Sequence, residues 1–260
     1  MSRCLQSFLL NLRVLSPESF TIGRTLLSLI LFGVCPGDEC CRRISFRPRK
    51  MAEKKVLLVG SSSVQHRCIL EAAFGDRFDI ICRSPDINEN DYVHANPPTL
   101  VTIIARAKME RILAMIDQDP ELKGRVDYAV TTNQLALFQG VVRGKPNSER
   151  EAFAYLSNYS NSSVSTVSGI VVADVKRSRQ VEGDWWTNTE FTAIPDEIKR
   201  KVIARGHVMS CVGGFAVDDE DLMPLRSFAM GTQEEVQGMS TAVFGKLLAE
   251  LEAASSSVVE

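Results

Sequence analysis

Three consecutive serines, Ser61-Ser62-Ser63, stand between a short apolar run that ends in Gly60 and a stretch with helical spacing. Backbone N–H groups at the start of a helix, with serine hydroxyls beside them, make an anion-binding element suited to phosphate. The same serines also fit a plain helix cap. The other common phosphate and nucleophile motifs are absent from the sequence. There is no GxxxxGK followed by Ser or Thr, no GxGxxG after a strand and no GxSxG elbow. Zinc chemistry has little to work with, because His66, His94 and His207 are the only histidines and none stands at ligand spacing to a cysteine pair. His94 and His207 read as surface or loop residues.

The elements that would position these residues follow from periodicity. Lys55-Val56-Leu57-Leu58-Val59-Gly60 predicts a buried strand, and the segment from Val64 to Ala73 a helix with Ile69 and Leu70 inward. A second strand covers Phe78 to Cys82. Pro97-Pro98 opens a long helix to about Asp117, with an apolar stripe of Leu100, Ile103, Ile104, Ala107, Ile112 and Met115. A third strand begins at Asp127, runs through Thr131, and the chain stays extended to Val142 with a turn at Gln139-Gly140. Ser148 caps a helix through Leu156, and Glu151 completes a capping box. Val164 to Val175 alternates as a half-buried strand does, and Lys176-Arg177-Ser178-Arg179 forms a hairpin turn into a strand carrying Trp185, Trp186 and Phe191. A helix from Pro195 to Ala204 stops at Gly206, and a last helix spans Ser240 to Leu251. Strands alternating with helices, with a β-rich centre, predict an α/β (α+β) domain on a mixed sheet.

The chain has 260 residues and a formal net charge of −2, so it is not a basic nucleic-acid binder as a whole, and a small anionic ligand needs only a local cluster of positive charge. Residues 1–50 form an extension rich in Arg and poor in acid, whose apolar run Leu26–Phe32 is too short for a membrane span. Two readings of it stay open: an organellar transit peptide, or upstream translation ahead of a start at Met51. The compact domain covers 54–252, and 253–260 is a polar tail. Seven cysteines, four of them within the first 41 residues, follow no disulfide framework; Cys68, Cys82 and Cys211 read as reduced cysteines of an intracellular protein.

Taken in order, short segments resemble the Maf family of nucleoside-triphosphate pyrophosphatases. Gly60 to Leu70 is similar to the opening Ser-x-Ser signature, which is followed in the family by a pair of arginines. Pro85-Asp86-Ile87-Asn88-Glu89 resembles the acidic "D-I-D-E" loop, and Ile104-Ala105-Arg106-Ala107-Lys108 the helical "L-A-x-x-K". Thr131-Thr132-Asn133-Gln134 stands where the family has "D-T" or, in a plant-like branch, "D-Q". Gly144-Lys145-Pro146 resembles the "K-P" that follows, Ser157 to Val167 the "L-S-G … T" segment, Val212 to Asp218 the "A-G-G-L-M-V-E" of that branch, and Val236-Gln237-Gly238-Met239 the closing "V-x-G-L-P". The resemblance runs from about Lys54 to Leu251.

It implies hydrolysis of a nucleoside triphosphate, non-canonical or pyrimidine, to the monophosphate and diphosphate, in the cytoplasm, or in a mitochondrion or plastid if 1–50 is a transit peptide. It also implies a divalent metal (Mg²⁺ or Mn²⁺), a possible homodimer, and no nucleic-acid or membrane partner. Asn133, Lys108, Lys145 and Glu89 fall at its catalytic positions; Ser61, Ser63, Arg67 and Gln134 at substrate-binding ones; Glu89 and Asp218 at metal-binding ones. The lysines suit charge growing on a departing diphosphate, Arg67 a bidentate grip on phosphate oxygens, and the carboxylates a hard cation. Two departures from the pattern matter, beside the replaced glycine of "L-S-G" near Asn158 and Met239-Ser240 in place of "L-P". The family's central Asp is Asn133, which cannot act as a general base, and the first arginine of the pair is His66, neutral at pH 7. A Maf-fold protein that binds nucleotides with little catalysis, or serves as an interaction module, is the alternative. Asp127, Asp218 and Asp219 are candidates to replace the missing carboxylate.

Overall fold

A computed structural model describes residues 54–256. The reading of residues 1–50 and of their four cysteines lies outside the described residues. Strands β1 (Lys55–Gly60), β2 (Phe78–Arg83), β3 (Tyr128–Phe138), β4 (Val141–Arg143), β5 (Ser163–Asp174), β6 (Arg179–Phe191) and β7 (Arg226–Met230) build one sheet in the order β2-β1-β3-β5-β6-β7, with β4 on β3. The β1–β2 and β1–β3 pairs are parallel and the remaining pairs antiparallel, so the sheet is mixed as expected. Helices α1 (Val64–Phe74), α2 (Pro97–Gln118), α3 (Glu149–Tyr159), α4 (Asp196–Ala204), α5 (Gln233–Val236) and α6 (Thr241–Ser256) flank it.

Three apolar clusters hold the layers together. α2 packs on one face over Val56, Leu58, Ala129, Val171 and Ala173. α1 and α6 cover the other face over Leu57, Val59, Val130, Ile170 and Val172. α3, α4 and the loops after them enclose a third cluster around Tyr159, whose ring lies against Phe138, Phe191 and Phe215.

Four expectations change. α2 buries Val101, Ile104, Ala105, Met109, Ile112 and Ile116, whereas Leu100, Ile103, Ala107 and Met115 are only half-buried. Apolar residues also stand outside this row, interspersed with the exposed Arg106, Glu110 and Arg111, so spacing alone does not select the row, and contact with the sheet does. There Gly169 matters, since a Cβ on it would come 2.9 Å from the backbone of Val101 and Thr102. β5 is buried on both faces rather than one, because β3 and β6 flank it and α2 and α6 both pack on it. Ser148 caps α3 by accepting from Glu151 N–H, but the Glu151 carboxylate accepts from the Asn147 backbone and not from that of Ser148, so the reciprocal box is not closed. α6 continues to Ser256, past the expected end at Leu251.

Candidate active site

β3 is longer than its neighbours on one edge, and that inequality makes the site. β1 pairs with Tyr128 to Thr131 and β4 with Ala136 to Phe138. Among the described residues, no strand takes the edge from Thr132 to Leu135 between them. On the opposite edge β5 pairs with this stretch without a break. The exposed edge lies just beyond Gly60, where β1 ends, so the serine turn, the centre of β3 and the α2 helix meet there. Gly60 allows the close approach: a Cβ on it would fall 2.6 Å from Thr131 and 2.7 Å from Ile112.

Lys108 reaches into this gap from α2. Its ammonium donates to Asn133 Oδ1 at 2.8 Å and to the Thr132 carbonyl at 3.2 Å, and pairs with Glu89 Oε1 at 2.7 Å. The side chain is largely buried, so it does not snorkel to solvent as a lysine on an apolar helix ordinarily does. Glu89 is half-exposed on a short 3₁₀ turn, Glu89–Asp91. Asn133 is buried, and its Nδ2 has no hydrogen-bond partner among the described residues.

The serine turn closes the other side. Ser63 caps α1 by accepting from His66 N–H, and Ser61 Oγ accepts from Ser63 N–H. The His66 ring lies between Ser61 Oγ (3.0 Å) and the Gln237 carbonyl (3.1 Å). A carbonyl only accepts, so Nε2 carries the proton and Nδ1 accepts from the Ser61 hydroxyl. Burial, with the nearby Lys108 charge adding to it, lowers the His66 pKa to about 4 against the opposing pull of the Gln237 carbonyl. The ring is therefore neutral at pH 7. Gln134, on the other face of β3, donates from Nε2 to Thr166, Ser168 and the Glu235 carbonyl. Arg67 is exposed and held at 2.8 Å by Glu71, which raises its pKa. With the three serines, Arg83 and Ser84 it lines a cavity of about 290 Å³.

The description of the Maf-like protein family matches residues 56–251, which takes in every strand and the site above. The chain belongs to the Maf family. Similar curated proteins include a 7-methyl-GTP pyrophosphatase of Dictyostelium discoideum, 32% identical over 162 residues, which are 62% of this chain and 81% of that protein. Another 7-methyl-GTP pyrophosphatase, of Alcanivorax borkumensis, is 27% identical over 74% of this chain and 92% of its own length. A dTTP/UTP pyrophosphatase of Chlamydia trachomatis serovar L2 is 25% identical over 75% of this chain and 93% of its own.

The Maf motif residues fall into two groups by the contacts they make. Ser61, Ser63, Lys108, Glu89, Asn133 and Gln134 gather around the open β3 edge. Lys145 and Asp218 flank Cys211 instead, where burial first, and Asp218 next, push the thiol up to about 11 while Lys145 opposes them. No hydrogen bond or ion pair joins the two groups among the described residues. They share a support, because the Gly213-Gly214 turn binds the Gly144 carbonyl through Gly213 N–H and packs on Ala136 of β3.

Two of the three carboxylates proposed to replace the family's Asp are engaged elsewhere. Asp127, at the opposite end of β3, takes Val56 N–H and Lys176. Asp219 is bound by Arg205 and accepts from Asp221 and Leu222 N–H. A hard divalent cation needs oxygen ligands, and Mg²⁺ is commonly held by one or two carboxylates together with the phosphates of its substrate. Glu89 at the centre meets that demand with one carboxylate, and no group of three His, Cys, Asp or Glu among the described residues forms a protein-only cage.

Two arginines near these residues carry no motif. Arg83 reaches the serine cavity because β2 runs parallel to β1, pairing Arg83 with Gly60. Arg143, just before the Lys145 loop, stacks over Phe138, Tyr155 and Tyr159 at 4.6, 4.5 and 5.3 Å. Arg143 has no sequence signal, whereas an arginine closing a strand parallel to the serine strand is one for Arg83. Cys68, Cys82 and Cys211 form no disulfide among the described residues. No helix among the described residues is long and apolar enough to cross a membrane.

Proposed function

We propose that this chain hydrolyses a nucleoside triphosphate to the monophosphate and diphosphate. The observation that supports this most directly is the largely buried Lys108 ammonium, aimed at an unpaired strand edge beside the serine turn, in a chain of the Maf family. In this reading the serine turn and Arg67 hold phosphate oxygens, and Arg83 adds a second guanidinium on the same cavity. Lys108 neutralises charge that builds as the bond to the departing diphosphate breaks and water bonds to the α-phosphorus. Lys145 meets the phosphate chain from the second group. Gln134 orients the base side of the cleft, its amide held by three acceptors on β5 and the Glu235 loop. Glu89, together with the phosphates of the substrate, would hold a divalent cation, Mg²⁺ or Mn²⁺, which supplies further charge neutralisation when bound; Asp218 belongs with the Lys145 group.

We take the substrate to be a non-canonical or pyrimidine nucleotide, with 7-methyl-GTP, dTTP and UTP as first choices from the names of the relatives. The chain would work in the cytoplasm, or in a mitochondrion or plastid if residues 1–50 direct it there, and as a homodimer. It needs no nucleic acid or membrane. Position 133 favours a second reading, a nucleotide-binding or interaction protein with weak catalysis, since Asn133 cannot take a proton from water and its oxygen is already held by Lys108.

The test is diphosphate release from a panel of nucleoside triphosphates with Mg²⁺ or Mn²⁺, by the unmodified protein beside Asn133→Asp. Metal-dependent release by the unmodified protein that Lys108→Ala abolishes supports the hydrolase. Release only from Asn133→Asp favours the second reading.

A further inference from the structure

The Asn133 amide has one atom more than its surroundings use. Lys108 Nζ approaches Oδ1, and an ammonium has donors only, so the contact identifies which amide atom is the oxygen. Nδ2 is then a donor in a residue only 4% exposed, with no hydrogen-bond partner among the described residues. Leaving a buried donor unmatched costs stability, and an apolar side chain of similar size would avoid that cost. The amide lies on the strand edge that β1 and β4 leave open.

Two donors from different elements therefore stand at the Asn133 amide: Lys108 Nζ on Oδ1, and Nδ2 of the amide itself. Donors suit an oxyanion. A carboxylate at position 133 would instead cancel the ammonium charge and attract a cation. In the free protein the ammonium is balanced by Glu89, a half-exposed group on a short turn. It is the partner that an incoming anion can replace at least cost.

We propose that Asn133 Nδ2 binds a phosphate oxygen of the nucleotide directly, and that Asn133 and Lys108 together give this chain triphosphate affinity that needs no divalent metal. The inference rests on the reading above in taking a triphosphate as ligand, but not on turnover. No bond is made or broken. The phosphate oxygen replaces Glu89 at Lys108 and accepts from Nδ2.

Calorimetric titration of the full chain with inorganic triphosphate in EDTA tests it, since this probe has phosphate oxygens and no base. The parent should bind. Asn133→Ala, which loses the donor without adding charge, should weaken binding about tenfold, as expected for a hydrogen bond to a charged group. Asn133→Asp should weaken it further in EDTA and regain most of the loss when Mg²⁺ is added, which also shows that the variant is folded. Thermal midpoints of all three proteins guard against misfolding, and a folded Asn133→Ala decides the matter by itself. Absence of metal-free binding by the parent overturns the inference, as do affinities of both variants within twofold of the parent. Variants that bind inorganic triphosphate normally and lose only nucleotide affinity overturn the phosphate assignment in favour of a base contact. Diphosphate release by a parent that fails to bind without metal would sink this inference and leave the hydrolase standing. Metal-free binding without release would do the reverse.

Discussion

Lys108 Nζ lies 2.8 Å from Asn133 Oδ1 and 2.7 Å from Glu89 Oε1, so one ammonium ties a helix, the centre of the sheet and a surface turn together. Its removal should act on chemistry far more than on folding, since Glu89 is half-exposed and can rehydrate. Lys108→Ala is expected to lower kcat/KM for diphosphate release about 100-fold or more, the scale for losing one preorganised charge-stabilising donor. Steady-state kinetics beside a melting curve checks it. A rate within a few-fold of the parent would remove Lys108 from the reaction.

Glu89 opposes anion binding at Lys108 and offers its oxygens to a cation. Glu89→Gln therefore has two expected effects of opposite sign. Affinity for inorganic triphosphate in EDTA should rise about threefold or more, the scale of one partly exposed charge pair. The Mg²⁺ concentration needed for half-maximal release should also rise. If both quantities stay unchanged, Glu89 is only a solvated turn residue.

His66 gives the fold a pH dependence with a definite sign. Its folded pKa, about 4, is below the ordinary 6.5, so the unfolded chain takes up this proton first as pH falls. The stabilisation is complete above about 6.5 and is lost progressively as pH drops toward 4, by up to about 3 kcal/mol. Urea midpoints across that window should fall for the parent and stay flatter for His66→Gln. Parallel profiles would show that another group carries the acid loss.

Gly169 sets the height of α2 over the sheet. A methyl group there would meet the backbone of Val101 and Thr102 at 2.9 Å, and backbone cannot rotate away. Gly169→Ala should cost about 1–3 kcal/mol by overpacking, lowering the melting midpoint by roughly 2–4 °C per kcal/mol. It should also slow release, since Lys108 rides on the same helix. An unchanged midpoint would mean that α2 is free to shift.

Local signals were legible in the sequence. The apolar run at Val56 to Val59, Pro97-Pro98 opening α2, the turn at Lys176 to Ser178 and the stop at Gly206 each depend on a few adjacent residues, and each lies where expected. The order of short motifs also named Ser61, Ser63, Lys108, Asn133 and Gln134, which the fold brings to one strand edge. The buried row of α2 and the double burial of β5 were not legible, because apolar spacing records which residues avoid water and not which neighbours cover them.

The sequence by itself determined the chemistry available: an amide in place of a carboxylate at 133, a histidine in place of an arginine at 66, and lysines at 108 and 145. Only the tertiary structure decided how that chemistry is arranged. Strand pairing across long separations leaves β3 open from Thr132 to Leu135 and places Lys108 between Asn133 and Glu89, and burial keeps His66 neutral despite the Gln237 carbonyl. Pairing, burial and charge proximity depend on residues distant in the chain, and no local pattern of residue types encodes which of them will meet.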